Sequence, residues 1–211
     1  MYQPAQHRED RLDVQHDMIE THPFGLLISH DSEGLQANGL PFLLQRDFGP
    51  FGRLQAHIAR ANSQWREIDG AEVLVVFQGP LNYVTPSFYE TKRETGKVVP
   101  TWNYAMVQAR GRARVWSNTA WLDTQIAALT DRHEAGRPEP WHVSDAPRPY
   151  IEAQLRGIVG IEIEIRSLEG KWKVSQNRPE GDRKGVAAGL AEAHPGMAAL
   201  VRLYGKIGDE A

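Results

Sequence analysis

The chain of 211 residues has no cysteine. This excludes a disulfide-stapled module, a cysteine nucleophile, a thiolate zinc site and an iron–sulfur cluster. Charge of one sign is also missing: 24 Lys and Arg stand against 27 Asp and Glu, a formal net charge of −3. There is therefore no overall pull toward nucleic acid or an anionic membrane, and such a partner would need a local patch. The longest apolar runs, Val73 to Phe77 and Met197 to Val201, fall far short of the ~20 residues of a membrane-spanning helix. The opening Met1-Tyr2-Gln3-Pro4 turns polar and charged, without the basic and then apolar pattern of a signal peptide. The expected location is the cytoplasm, with no membrane partner.

Several common chemistries lack their motifs. Gly96-Lys97, Gly170-Lys171 and Gly205-Lys206 are followed by Val98, Trp172 and Ile207, so none supplies the Ser or Thr of a phosphate loop. No serine sits in Gly-x-Ser-x-Gly, and no Gly-x-Gly-x-x-Gly follows a strand pattern. His133-Glu134 opens like a zincin helix, but Arg137 stands where the second histidine belongs. No metal site is expected, and no residue declares itself a catalytic acid, base or nucleophile.

What remains is an ordinary globular composition, 41% hydrophobic and 24% charged, in a chain long enough for one large domain or one with an appendage. Asp10 can cap a short helix carrying Leu12, Val14, Met18 and Ile19 and ending near His22-Pro23. Phe24 to His30 and Leu35 to Leu44 flank the turn signal Asp31-Ser32-Glu33-Gly34 and predict a β-hairpin. Further strands are expected at Arg53 to Ile58, Glu72 to Gln78 and Met106 to Trp116. In the last of these, Arg110, Arg112 and Arg114 alternate with small residues and share one face. Ile161, Ile163 and Ile165 alternate with Glu162, Glu164 and Arg166, and Glu169-Gly170 then reads as the turn of a second hairpin into Lys171 to Ser175. Its carboxylates are expected to pair across strands with the arginines. Helices are expected after Asn118, at Pro149 to Arg156 and from about Asp182 to Leu203, with a loop at Gly136 to Pro140. Many strands without βαβ alternation predict an antiparallel β-barrel decorated by helices, an α+β protein that is mainly β.

Four segments concentrate polar and aromatic groups. His57, Arg60, Asn62 and Gln64 end a strand and could gather a phosphate, although the residues alone favour a capped turn. Val99-Pro100-Thr101-Trp102-Asn103-Tyr104 offers two aromatics, an amide and a hydroxyl to a planar heterocycle, or a core tryptophan with a bonded asparagine. Lys171-Trp172-Lys173-Val174-Ser175-Gln176-Asn177-Arg178 interleaves basic and aromatic groups, as a flavin or phosphate site or a solvated strand would. Asn82 to Tyr89, with Lys92, is a polar and aromatic turn able to close a pocket.

In this order the segments resemble the PaiB-type family of FMN-binding negative transcriptional regulators, whose fold is a split β-barrel. The resemblance rests on Met1-Tyr2-Gln3-Pro4, Asn38-Gly39-Leu40-Pro41-Phe42, His57-Ile58-Ala59-Arg60-Ala61-Asn62, Phe77-Gln78-Gly79-Pro80, Val99-Pro100-Thr101-Trp102-Asn103-Tyr104 and Gly170-Lys171-Trp172-Lys173-Val174-Ser175-Gln176-Asn177. The chain departs from the family at Thr85-Pro86-Ser87-Phe88-Tyr89, where Ser-Pro-x-Trp-Tyr is usual, and at Val107-Gln108, where Val-His is usual. The resemblance implies one split-barrel domain over 1–211, with a helical appendage at about 182–204, and a homodimer with FMN at the subunit interface. It implies His57, Arg60, Asn62 and Gln64 as phosphate and ribityl ligands, and Trp102, Asn103, Tyr104, Lys173, Gln176 and Asn177 around the ring. DNA is a partner by resemblance only. The implied role is negative regulation of transcription through a redox or small-molecule signal, with an FMN-dependent oxidoreductase as the alternative.

Overall fold

The computed structural model describes residues 1–32 and 34–208. In chain order its elements are β1 (Arg8–Glu9), α1 (Leu12–Thr21), β2 (Phe24–Asp31), β3 (Gly34–Pro41), β4 (Leu43–Gln45), β5 (Arg53–Ala59), β6 (Glu72–Val84), α2 (Glu90–Glu94), β7 (Thr101–Trp116), α3 (Thr119–Glu134), α4 (Arg148–Leu155), β8 (Ile158–Lys173), α5 (Glu180–Leu190) and α6 (Pro195–Gly205). The sheet order is β3-β2-β6-β7-β8-β5-β4, with β1 also paired to β8. The pairs β2–β3, β2–β6, β4–β5, β5–β8 and β1–β8 are antiparallel. This is the antiparallel split barrel with peripheral helices that the strand pattern predicts.

The chain folds as two compact units. One comprises Met1–Arg11, Gln78–Val107 and the chain from Glu169; the other comprises Leu12–Phe77 and Gln108–Leu168. They are called the first and second unit below. The chain passes between them inside β6, β7 and β8.

In the second unit, alternation places Leu27, Leu54, Ala56, Val73, Val75, Phe77, Ile161 and Ile163 inside, each at most 3% exposed. The β2–β3 hairpin closes from Phe24↔Pro41 to Asp31↔Gly34. Glu33 of its expected turn lies outside the described residues. The side chain of Asn118 caps α3 by accepting the Trp121 N–H at 3.1 Å, and Leu122 packs with Ile151 and Leu155 of α4. Two glycines allow close packing. A Cβ on Gly111 would lie 2.2 Å from the Glu164 carbonyl oxygen, and one on Gly160 would lie 2.1 Å from the Trp121 ring.

Three expectations are corrected. First, β6 and β7 are longer than predicted, running on to Val84 and back to Thr101. The strand expected at Glu72 to Gln78 continues through Gly79-Pro80: the residues of β6 paired with β2 are 74–76, so Pro80 removes no N–H from that ladder. Second, Glu169-Gly170 makes no hairpin, and β8 is continuous from Ile158 to Lys173. Gly170 lies opposite Glu9 of β1 and is absent from the left-handed glycines, so it extends the strand. Third, the last helical stretch is two helices, because Pro195 cannot continue a helix and instead begins α6.

Candidate functional site

The predicted ligands fall into two groups, one in each unit. In the second unit, β5 ends at Ala59 and the chain turns at Asn62, whose side chain accepts the Gln64 N–H at 3.0 Å. The capped-turn reading therefore describes the local structure. Gln64 is 2% exposed. Its amide nitrogen donates to the Leu27 carbonyl at 3.2 Å and to Ser29 Oγ at 2.9 Å, and its oxygen accepts from Asn38 Nδ2 at 2.9 Å. The amide is fully spent on tying the turn to the β2–β3 hairpin. The Arg60 guanidinium donates to the Arg156 and Ile158 carbonyls, both at 2.9 Å, which uses two of its five N–H groups. His57 is half-buried and its Nδ1 lies 2.9 Å from Gln125 Oε1.

In the first unit, strand alternation divides Thr101-Trp102-Asn103-Tyr104. Asn103 points inward, 1% exposed, and exchanges hydrogen bonds with Ser175 at 2.9 and 3.2 Å. Ser175 has φ +66°, a conformation uncommon for a residue with a side chain, and the Asn103 bonds hold it there. The Gln176 amide is likewise internal: it accepts the Val174 N–H at 2.8 Å and donates to the Gln6 and Trp172 carbonyls at 3.0 and 2.5 Å. Trp102 and Tyr104 point the other way. Trp102 is 53% exposed and meets Tyr83 edge to face at 6.0 Å. Asn177 is exposed.

Cations gather beside these rings. The Lys171 ammonium lies 5.3 Å from the Tyr2 ring and 5.5 Å from the Tyr104 ring. Lys173 donates to Thr101 Oγ1 and to the Trp102 carbonyl, both at 2.5 Å, leaving one N–H. The Arg178 guanidinium lies 4.7 Å from the Tyr89 ring. Among the described residues, none of these three cations has a carboxylate partner. Burial, then Arg178 and Lys171, lower the Lys173 pKa from its ordinary value. Burial, then Lys173 and Lys171, lower that of His7. The lesser part of both shifts comes from neighbouring cations, whose repulsion an anionic or electron-rich ligand would offset.

The basic-aromatic run at 171–178 pointed to this surface. Tyr83 belongs to the Asn82 to Tyr89 segment that the sequence offers for closing a pocket, whereas Tyr2 and His7 were missed as contributors. The available signal was the Met1-Tyr2-Gln3-Pro4 word, which meets β8 where Gln3 donates to the Gly170 carbonyl at 2.7 Å. The Asn82 to Tyr89 turn does not stand open. Tyr89 is 1% exposed, and Gly185 of α5 packs so closely that a Cβ there would lie 1.9 Å from the Phe88 carbonyl oxygen.

Residues 1–167 match a family model described as "Putative FMN-binding domain". An uncharacterized protein of Emericella nidulans is 36% identical over 250 aligned positions, covering 100% of both chains. The protease synthase and sporulation protein PAI 2 of Bacillus subtilis is 28% identical over 205, covering 96% of each. Among solved structures, the flavocytochrome Anf3 from Azotobacter vinelandii superposes with a TM-score of 0.57 at 12% identity, over 79% of this chain and 69% of that one. The FAD and heme binding protein from Mycobacterium smegmatis gives 0.56 at 17% identity, over 77% and 71%. These two share the fold.

Proposed function

Because the chain belongs to the FMN-binding domain family, we propose that it is an FMN-dependent regulator of transcription of the kind its resemblance to the PaiB type implies. The observation that carries this reading is the surface of the first unit, where exposed Trp102 and half-buried Tyr104 stand beside Lys171, Lys173 and Arg178 with no carboxylate among the described residues to neutralise them. These residue types fit a flavin. The rings offer stacking, and the ammoniums offer charge to the electron-rich edge or the phosphate. FMN, when bound, supplies a reversible acceptor of one or two electrons. The chain supplies the aromatic platform, and Lys173 keeps one N–H for the ligand. The Asn103–Ser175 pair and Gln176 hold the turn that presents Asn177. In the second unit Arg60 retains three N–H groups beyond those on its carbonyls and stays the phosphate candidate there.

The same reading takes the protein as a cytoplasmic homodimer, with 1–211 as one cofactor domain and 182–204 as its helical appendage. No helix among the described residues is long and apolar enough to cross a membrane. Support for the dimer comes from the outer face of β2 and β3, where Phe24, Leu26 and Leu35 are 68%, 41% and 78% exposed. The register places Gly39, Val76 and Leu74 on this face as well. Arg112 and Arg114 make a poor phosphate-backbone stripe, because Glu162 and Glu164 share their cavity. Direct DNA contact through them is not part of the proposal.

A visible spectrum of the purified protein, followed by FMN titration of wild type, Lys173→Gln and Arg60→Ala, tests the cofactor site. Flavin bands with weaker binding in Lys173→Gln support it, and no titratable affinity refutes it. Sedimentation of wild type and Leu26→Glu tests the dimer. Transcript profiles of cells carrying wild type or Lys173→Gln test regulation. Identical profiles, together with nicotinamide-dependent turnover by the holoprotein, would hand the function to an oxidoreductase.

A further inference from the structure

The second unit contains a cavity of about 370 Å³, within the usual range for small-ligand sites. It is lined by Arg53, Arg112, Arg114, Asp69, Glu162 and Glu164, with Phe48 at its edge. Among the described residues, neither Arg112 nor Arg114 forms the expected pair with a β8 carboxylate. Glu162 instead accepts from Arg53 at 3.2 Å and from Gln55 at 2.8 Å. Arg112 donates Nε to the Gly70 carbonyl at 2.7 Å, and Arg114 lies 4.2 Å from the Trp116 ring. Among the described residues neither guanidinium has a carboxylate partner, and Glu164, exposed on the same wall, has no cationic one.

This arrangement is ordered before any ligand arrives. The Arg112 fork is fixed by its bond to Gly70, a glycine at φ +74°. The turn that bears it is pinned to β7 by Gly70 N–H to the Ala113 carbonyl at 2.8 Å and by Val115 N–H to Asp69 Oδ1 at 2.9 Å. Strand alternation sets Arg112 and Arg114 on one face with no inward competitor, since Gly111 and Ala113 fill the other side. Two oriented guanidiniums suit an oxyanion, and an uncompensated carboxylate on the same wall suits an ammonium.

We propose that this cavity binds a small zwitterion, with its phosphate or carboxylate on Arg112 and Arg114 and its ammonium on Glu164. The chemistry is that of a phosphorylated amine or an amino acid. Arg53 stands on β5 directly across from Glu164 in the register, but its guanidinium is engaged by Glu162 and lies 4.4 Å from the Phe48 ring.

The test is calorimetric titration of the purified protein with O-phosphoethanolamine, inorganic phosphate and ethanolamine. Emission from Trp116, which carries Arg114 on its face, gives a second readout. The expected order is phosphoethanolamine tightest, phosphate about tenfold weaker and ethanolamine undetected. Arg112→Gln/Arg114→Gln removes binding of both phosphates. Glu164→Gln weakens phosphoethanolamine but tightens inorganic phosphate, because it removes the ammonium's partner and the phosphate's repeller together. Partial unfolding cannot produce that crossover. Equal affinities for the two phosphates would overturn the proposal, as would a Glu164→Gln variant that shifts both the same way or an arginine double variant that binds like wild type. Absence of binding by every probe at about 10 mM would overturn it too. FMN titration of the same variants is expected to be unchanged, which separates this site from the flavin surface.

Discussion

Replacing Gln64 separates a structural residue from a cofactor ligand more cleanly than any other single change. Its side chain makes three hydrogen bonds at 2% exposure, to Leu27, Ser29 and Asn38. At about 1 kcal/mol net each, Gln64→Ala costs about 3 kcal/mol, because Ser29 and the Leu27 carbonyl stay buried without their donor. For a chain of this size that is a fall in Tm of about 6–12 °C. Gln64→Glu keeps length and shape but cannot donate to the Leu27 carbonyl and buries a charge. Burial raises the pKa of such a carboxyl, so its penalty is full above the raised value and shrinks as pH falls through it. Gln64→Glu should therefore lie closer to wild type at pH about 5 than at pH about 8. The assay is thermal melting by near-ultraviolet circular dichroism, with FMN affinity measured well below Tm. Structural commitment predicts a large loss of Tm and FMN affinity within about twofold of wild type. A wild-type Tm with FMN affinity lost would show that the amide serves the ligand, and the hydrogen-bond reasoning would fall.

Three more perturbations follow from named contacts. Gly111→Ala puts a Cβ 2.2 Å from the Glu164 carbonyl, where backbone rather than a flexible side chain must yield; a loss of about 3 kcal/mol or more is expected by urea unfolding. Glu9 is opposed by burial, but the Arg11 and Tyr204 hydrogen bonds outweigh it and hold the carboxyl below its ordinary range. Its stabilisation is therefore present above the usual carboxylate pKa and lost as pH falls through the lowered one. Glu9→Gln should cost about 1–2 kcal/mol at neutral pH, with the gap closing in unfolding curves as pH falls through that lowered value. Lys173, whose pKa is lowered by burial and by Arg178 and Lys171, loses its charge at a lower pH than an exposed lysine. FMN affinity should weaken as pH rises through that lowered value, and Lys173→Gln should flatten the trend; an identical slope in the variant would remove Lys173 from the site.

How much of this was legible beforehand depends on where each decision is made. Local signals sufficed for the β2–β3 hairpin, for the Asn118 cap and for the face shared by Arg110, Arg112 and Arg114, because alternation and capping act within a few residues. They misled at Gly170, and they stopped β6 short at Gln78. There the deciding facts are long-range: the pairing of β8 with β1 at Glu9, and the end of the β2–β6 ladder at residue 76.

The site divides along the same line. A polar residue can serve a ligand or its own backbone, and its sequence neighbours do not say which. Asn103 meets Ser175, Gln176 meets Gln6, and Gln64 meets Leu27, Ser29 and Asn38, all across long stretches of chain. The capping half of the Asn62 alternative could be read locally, since its acceptor and donor are two residues apart. What survives as ligand chemistry are groups that tertiary structure leaves unspent. In the first unit these are the face of Trp102, one Lys173 N–H and the exposed Asn177 amide. In the second they are the three remaining N–H groups of Arg60, and those of Arg112 and Arg114 in the cavity they share with Glu164. Mutating a spent residue such as Asn103 is thus expected to lower stability before affinity, whereas mutating Trp102 is expected to lower affinity alone. A Trp102→Ala variant that melts far below wild type, while binding FMN as tightly as wild type when folded, would reverse that assignment for the ring.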